Sequence, residues 1–212
     1  MRTRRLLVVG AAGAIAAAGC YPNDDVTSVS DFASVTTLVD SQAPLRAART
    51  FALPDTVIHT TLGDGAATTT SHTGDAQILD RIRAGFIALG WREVTDVRAT
   101  RADVVILTAV LEREQTGVAY GSWWSDWGYW PGWPASYGGY GWGYPGAAVE
   151  FTYETGTLLI IMLDLLHGDA STKRVPLLWA AGINGVLTSS SLDGALDGIT
   201  QAFVQSPYLE RP

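Results

Sequence analysis

The sequence predicts an α+β domain: a mainly antiparallel sheet of about four strands with two helices packed on one face. Three observations point there. Segments 75–89 and 192–203 each carry a single apolar stripe at helical spacing. Runs 104–110, 158–163 and 177–186 are dense in apolar or β-branched residues and short enough for buried strands. The links between consecutive strands are non-helical, which suggests layered α+β architecture.

The chain opens with Arg2, Arg4 and Arg5, followed by the uncharged apolar run Leu6 to Ala18. That is the pattern of a signal peptide, here residues 1–19. Ala17-Ala18-Gly19-Cys20 is similar to the lipobox of bacterial lipoprotein precursors, with Ala17 where lipoboxes usually carry Leu. The likeness implies diacylation of Cys20 and cleavage before it. An ordinary secreted protein and an uncleaved anchor are the competing readings. The anchor is disfavoured because the run falls short of the roughly 20 residues that span a bilayer.

Residues 20–48 read as the lipidated cysteine and a polar tether, since Tyr21 to Ser41 holds Asp24, Asp25 and several Ser and Thr. A single domain is expected over 49–206, with a C-terminal tail at 207–212. Thr50 to Leu53 alternates and stops at Pro54-Asp55, a short strand and turn. Val57 to Thr61 is a candidate continuation, and Thr61 to Gly74 reads as loop. In the first helix Ile78, Leu79, Ile82, Phe86 and Leu89 share one face, with Asp75 as candidate N-cap and Gly90 as C′ residue. Trp91 to Val94 returns into the sheet, and Asp103 to Arg113 is a strand. Leu158 to Leu163 and Leu177 to Val186 read as neighbours across a turn at His167-Gly168-Asp169. Leu192, Leu196, Ile199 and Phe203 define the closing helix, with Ser190 or Ser191 as its cap. Trp179, inside an apolar strand, is expected in the core, and Asp164 is expected to serve the strand end and turn.

Bulk composition excludes several classes. Without the leader the chain loses three of its 14 basic side chains and none of its 21 acidic ones, leaving a formal charge of about −10. Such a field repels phosphate backbones, so nucleic acid is not an expected partner. Cys20 is the only cysteine, which excludes a disulfide framework and a thiolate metal cluster.

The segment 118–148 differs from the rest. It holds Trp123, Trp124, Trp127, Tyr129, Trp130, Trp133, Tyr137, Tyr140 and Trp142, spaced by Gly and Pro, and Asp126 is the only charge between Tyr120 and Tyr144. Gly and Pro at this density do not hold a regular strand or helix. Lying between two expected neighbouring strands, it reads as an oversized loop or hairpin tip. Its rings could cover the domain's own apolar surface, bind a protein, enter a membrane interface or stack on glycan.

Catalytic patterns are absent. His59, His72 and His167 show no i, i+4 pairing, so no zinc motif is visible. There is no G-x-S-x-G elbow and no P-loop, and Gly138-Gly139-Tyr140-Gly141 lacks the lysine and helix of a phosphate cradle. Asp24-Asp25 and the Asp193/Asp197 pair have simple readings as tether solvation and helix-start charge. Glu150 and Glu154 flank the aromatic segment but show no second carboxyl across a cleft.

Residues recurring in a fixed order carry a family resemblance: Cys20, Thr50-Phe51-Ala52-Leu53-Pro54, Ile82…Leu89-Gly90-Trp91, Ala102-Asp103-Val104-Val105-Ile106, the Trp/Tyr/Gly stretch, Gly156-Thr157-Leu158-Leu159-Ile160, Asp164 and Leu178-Trp179. From Arg49 to Val204 the chain resembles the domain-of-unknown-function family 4136, a group of bacterial envelope lipoproteins. The family usually has a shorter turn than His167 to Pro176, which here includes Lys173-Arg174. The resemblance implies an envelope location and these domain limits, and carries no activity.

The function expected from the sequence is therefore a non-enzymatic outer-membrane lipoprotein, facing the periplasm. It would need no cofactor or metal, be held to the membrane by lipid on Cys20, and bind an envelope protein or peptidoglycan through the aromatic segment. Tyr21 lacks the Asp that retains lipoproteins at the inner membrane in some bacteria. The alternative expectation is a glycan-binding or hydrolytic envelope domain.

Overall fold

The computed structural model describes residues 34–40, 45–60, 73–111, 115–118, 150–153, 156–168, 175–184 and 192–212. In chain order the strands are β1 (Val35–Val39), β2 (Thr50–Ala52), β3 (Ile58–Thr60), β4 (Arg92–Glu93), β5 (Val104–Leu111), β6 (Gln115–Val118), β7 (Glu150–Tyr153), β8 (Thr157–Asp164) and β9 (Leu177–Ile183). The helices are α1 (Asp75–Ala88) and α2 (Asp193–Val204), with 3-10 turns at Leu45–Ala47 and Pro207–Leu209.

The expectation of a mainly antiparallel four-stranded sheet is overturned. The sheet has seven strands in the order β1-β9-β8-β5-β2-β4, with β3 also on β5, and its pairing is mixed. β1, β9, β8 and β5 pair antiparallel in sequence across the sheet, while β2 runs parallel to both β4 and β5, and β3 runs parallel to β5. The physical reason is length. β2, β3 and β4, read from sequence as short extended stretches at 50–53, 57–61 and 91–94, have only three, three and two residues, too few to reveal which strands they pair with or in which direction. β1 falls in the stretch read as tether. It is a half-exposed edge strand, so Val-Thr-Thr-Leu-Val carries little apolar signal.

The central strands are buried on both faces, which is why they read as continuous apolar runs. On one face Val104, Ile106 and Val110 of β5 join Leu158, Ile160 and Met162 of β8 under both helices. On the other, Val105, Leu107 and Ala109 join Leu159, Ile161 and Leu163, with Ile58, Val94, Val97 and Val175 against them. Leu178 is an extra residue: Met162 faces Trp179 while Leu163 faces Leu177, so β9 bulges there.

The helix layer closes over an aromatic cluster. Phe86 meets Trp91, Trp179 and Phe203 edge-on, with centroids 5.9, 6.0 and 5.0 Å apart, a favoured arrangement for ring quadrupoles. Trp179 has no solvent exposure, and its indole N–H donates to Ser206 Oγ at 2.9 Å. Burying rings of this size contributes about 1.5–3 kcal/mol each. Two close approaches set the layer's depth. A Cβ on Gly85 would lie 2.1 Å from the Phe203 ring, and one on Gly198 would lie 2.3 Å from Ile183 Cγ2.

Helix ends differ in part from expectation. Gly74, with φ 100°, is the N-cap of α1, and Asp75 is its first helical residue. At the other end Gly90 N–H reaches Ile87 O and Trp91 N–H reaches Phe86 O, with Gly90 at φ +83°. That is a Schellman motif completed by the Phe86–Trp91 ring contact. Leu192 is the N-cap of α2. The Ser190 and Ser191 expected in that role lie outside the described residues.

Candidate functional site

Cys20 and the nine aromatic residues from Trp123 to Trp142 lie outside the described residues. The structure does describe the stem that carries the aromatic segment. β5 and β8 pair over eight rungs from Val104↔Asp164 to Leu111↔Thr157. β6 and β7 then pair from Gln115↔Tyr153 to Val118↔Glu150, so the same two chain segments pair again beyond the sheet. Gly156, at φ +82°, sits at the break, where its N–H donates to Leu111 O at 2.9 Å. The aromatic segment thus departs from Val118 and returns at Glu150, between paired strands.

Of the titratable residues considered from sequence, His59, Asp164 and His167 have partners in the structure, while His72 and Glu154 lie outside the described residues. His59 Nε2 lies 3.0 and 3.2 Å from the two Asp75 oxygens, with the histidine side chain largely buried between β3 and the start of α1. The pairing ties β3 to the helix start and replaces the solvated state usual for a loop histidine. Asp164 accepts the backbone N–H groups of Leu166 and His167 and bonds His167 Nδ1 at 2.7 Å. It closes the turn after β8, the role its position suggested. Arg83 binds Glu93 and Asp80, bracing α1 against β4. Among the described residues no group of three or more His, Cys, Asp or Glu side chains is placed to hold a metal.

A cleft of about 930 Å³ opens where the end of β1, the turn at 45–47 and the segment 207–212 meet. Arg46, Arg49 and Arg211 line it together with Asp40, Tyr208 and Glu210. The backbone holds these groups in place from several directions. Arg49 N–H and Thr50 N–H both donate to Asp103 Oδ2, at 2.7 and 2.9 Å, which fixes Arg49 at the start of β2. Arg49 Nη1 donates to the Arg46 and Ala48 carbonyls. The 207–212 segment is docked on the exit of α1: Trp91 Nε1–H donates to Leu209 O, and Arg211 N–H donates to Leu89 O, both at 2.8 Å.

Arg211 is the unusual member. It is only 7 % exposed, and its guanidinium lies 4.1 Å from the centre of the Trp91 ring. Its Nε and Nη2 atoms are buried and without a hydrogen-bond partner. Among the described residues no ion pair joins Arg46, Arg49 or Arg211 to a carboxylate. Burial, then the neighbouring Arg49 and Arg46 charges, lowers the Arg211 pKa to about 10. Leaving such a buried donor unmatched costs about 1–3 kcal/mol, and more when it is charged. Sequence reasoning missed this cluster. Arg211 is 162 positions from Arg49, and nothing in the local pattern of either residue announces the other.

A seven-stranded mixed sheet, two helices on one of its faces and a twice-paired central hairpin define the class of domain. The chain belongs to the DUF4136 family: the family model, described as a domain of unknown function, matches residues 35–208. That match begins at the first residue of β1. A DUF4136 family protein of Bacteroides thetaiotaomicron VPI-5482 has a similar solved structure, at 28% identity and TM-score 0.62, covering 84% of this chain and 97% of that one. Two PelC dodecamer structures from Paraburkholderia phytofirmans also match. One, a variant, has 17% identity and TM-score 0.39 over 84% of this chain and 99% of its own. The other has 19% identity and TM-score 0.34 over 82% and 97%. No curated protein matches the chain.

Proposed function

We propose that this chain is a lipid-anchored protein of the bacterial outer membrane that works by binding, not catalysis, and that its aromatic segment is the binding element. The observation that carries the reading is the strand register. Two segments paired at the centre of the sheet pair again from Gln115↔Tyr153 to Val118↔Glu150, immediately before and after the aromatic segment. In this reading the segment rich in Trp and Tyr serves as the binding surface, since those residue types dominate interface hot spots. The sequence pattern Ala17-Ala18-Gly19-Cys20 supplies the anchor in this reading.

The binding role is tested by affinity capture from solubilised envelopes, comparing the whole chain with a variant lacking Ser122 to Gly143. The deletion should remove specific co-purifying partners, and an unchanged set of partners sinks the reading. The anchor is tested separately by metabolic labelling with a fatty-acid analogue. Label should enter the wild type and be lost in Cys20→Ala. Equal labelling of the two rejects lipidation at this site.

A further inference from the structure

The arginine cleft is independent of the aromatic segment and of the anchor. Arg211 offers an unmatched donor pair there. Nε and Nη2 belong to one edge of the guanidinium, and that edge makes two parallel hydrogen bonds to a single oxyanion. Trp91 covers one face of the same group, so the plane of the fork is set by packing. Arg46, exposed, and Arg49, half-buried, line the same cleft and add like charge that no described carboxylate pairs. Asp40 and Glu210 lie on the walls and keep the cleft from being uniformly basic. A chain acidic overall nevertheless gathers three cations around one hollow of about 930 Å³, within the range of small-molecule sites.

We propose that this cleft is an oxyanion site that takes a phosphoryl group, held bidentately by Arg211 Nε and Nη2 and flanked by Arg49 and Arg46. Nε and Nη2 are buried, so a ligand reaches them only when the side chains around the cleft shift. The group could arrive on a free phosphate compound or on a lipid headgroup, and one set of experiments separates the two.

Calorimetry and thermal unfolding of the purified chain with inorganic phosphate, at ionic strength held constant with sodium chloride, provide the first arm. Phosphate should bind and raise the unfolding midpoint. Arg211→Met and Arg46→Met should each weaken binding by about tenfold or more. Arg46 is exposed, so its substitution keeps the test valid should the Arg211 variant fold poorly. The second arm is co-sedimentation with phosphatidylcholine vesicles with and without phosphatidic acid. Acid-dependent binding that Arg46→Met abolishes, without a response to inorganic phosphate, assigns the headgroup as the source. Absence of binding in both arms, or binding that neither variant weakens, overturns the site.

Discussion

Thr50 and Asp103 hold each other in both directions. The Asp103 carboxylate accepts the Thr50 backbone N–H at 2.9 Å, and Thr50 Oγ1 accepts the Asp103 backbone N–H at 3.0 Å. The pair stands one residue before Phe51↔Val104, the first rung between β2 and β5. It therefore sets the start of a parallel pairing that so short a strand would hold weakly by itself. Asp103→Ala should orphan the Arg49 and Thr50 N–H groups and cost about 1–3 kcal/mol, read as a lower urea midpoint. With Thr50→Val the losses should fall short of additive, because both changes break the same lock. Fully additive losses would show that the two residues act separately.

Gly198 faces Ile183, which is fully buried in β9. Ala at 198 gains helix propensity of about 1 kcal/mol but puts a methyl group 2.3 Å from Ile183 Cγ2. A β-branched side chain locked in a sheet gives way poorly, and overpacking costs about 1–3 kcal/mol. Gly198→Ala should therefore destabilise, and Gly198→Ala with Ile183→Val should recover part of the loss. A higher thermal midpoint for the single variant would contradict the packing described.

Ser206 stands under Trp179 with no exposure of its own. Ser206→Ala removes the acceptor of the indole N–H and the 3.1 Å partner of the Tyr208 hydroxyl. A loss of about 1–3 kcal/mol is expected from the orphaned indole donor. Chemical denaturation measures it, and a change under about 0.5 kcal/mol, the range of ordinary surface substitutions, would be inconsistent with this assignment.

Gly90 joins the helix exit to the arginine cleft. Its positive φ disfavours any side chain, and a Cβ there would lie 3.0 Å from Arg211 O. Gly90→Ala should lower stability by about 1 kcal/mol and also shift the 207–212 segment, so its phosphate affinity should fall although no arginine is altered. Stability loss with intact phosphate binding would uncouple the two.

Legibility in the sequence followed the size of each element's apolar signal. β5, β8, β9 and both helices carry long runs or clear periodicity, and each was found within a few residues of its true limits. β1 was hidden because an edge strand needs few apolar residues, and it lay in a stretch whose Asp and Ser content suggested tether. β2 to β4 are held by partners distant in sequence, such as Asp103 for Thr50, and not by their own composition. The segment 207–212 was expected only as a C-terminal tail, yet Leu209 is fully buried and Arg211 nearly so. The cleft was invisible for the same reason: three arginines are ordinary in a sequence and become informative only once folding gathers them around one hollow. The aromatic segment was legible as composition, and β5 and β8 of its stem as two expected strands, but β6 and β7 were not expected.

The twofold pairing of that hairpin has a mechanical consequence. A tug on its far end along the strand axis draws β5 and β8 together against their outer neighbours, β2 and β3 on one side and β9 on the other. Those ladders, two and three rungs to β2 and β3 and six to β9, resist by sliding with their rungs strained together, not by opening one after another. A partner gripping the tip could therefore pull hard on this domain before its sheet gave way.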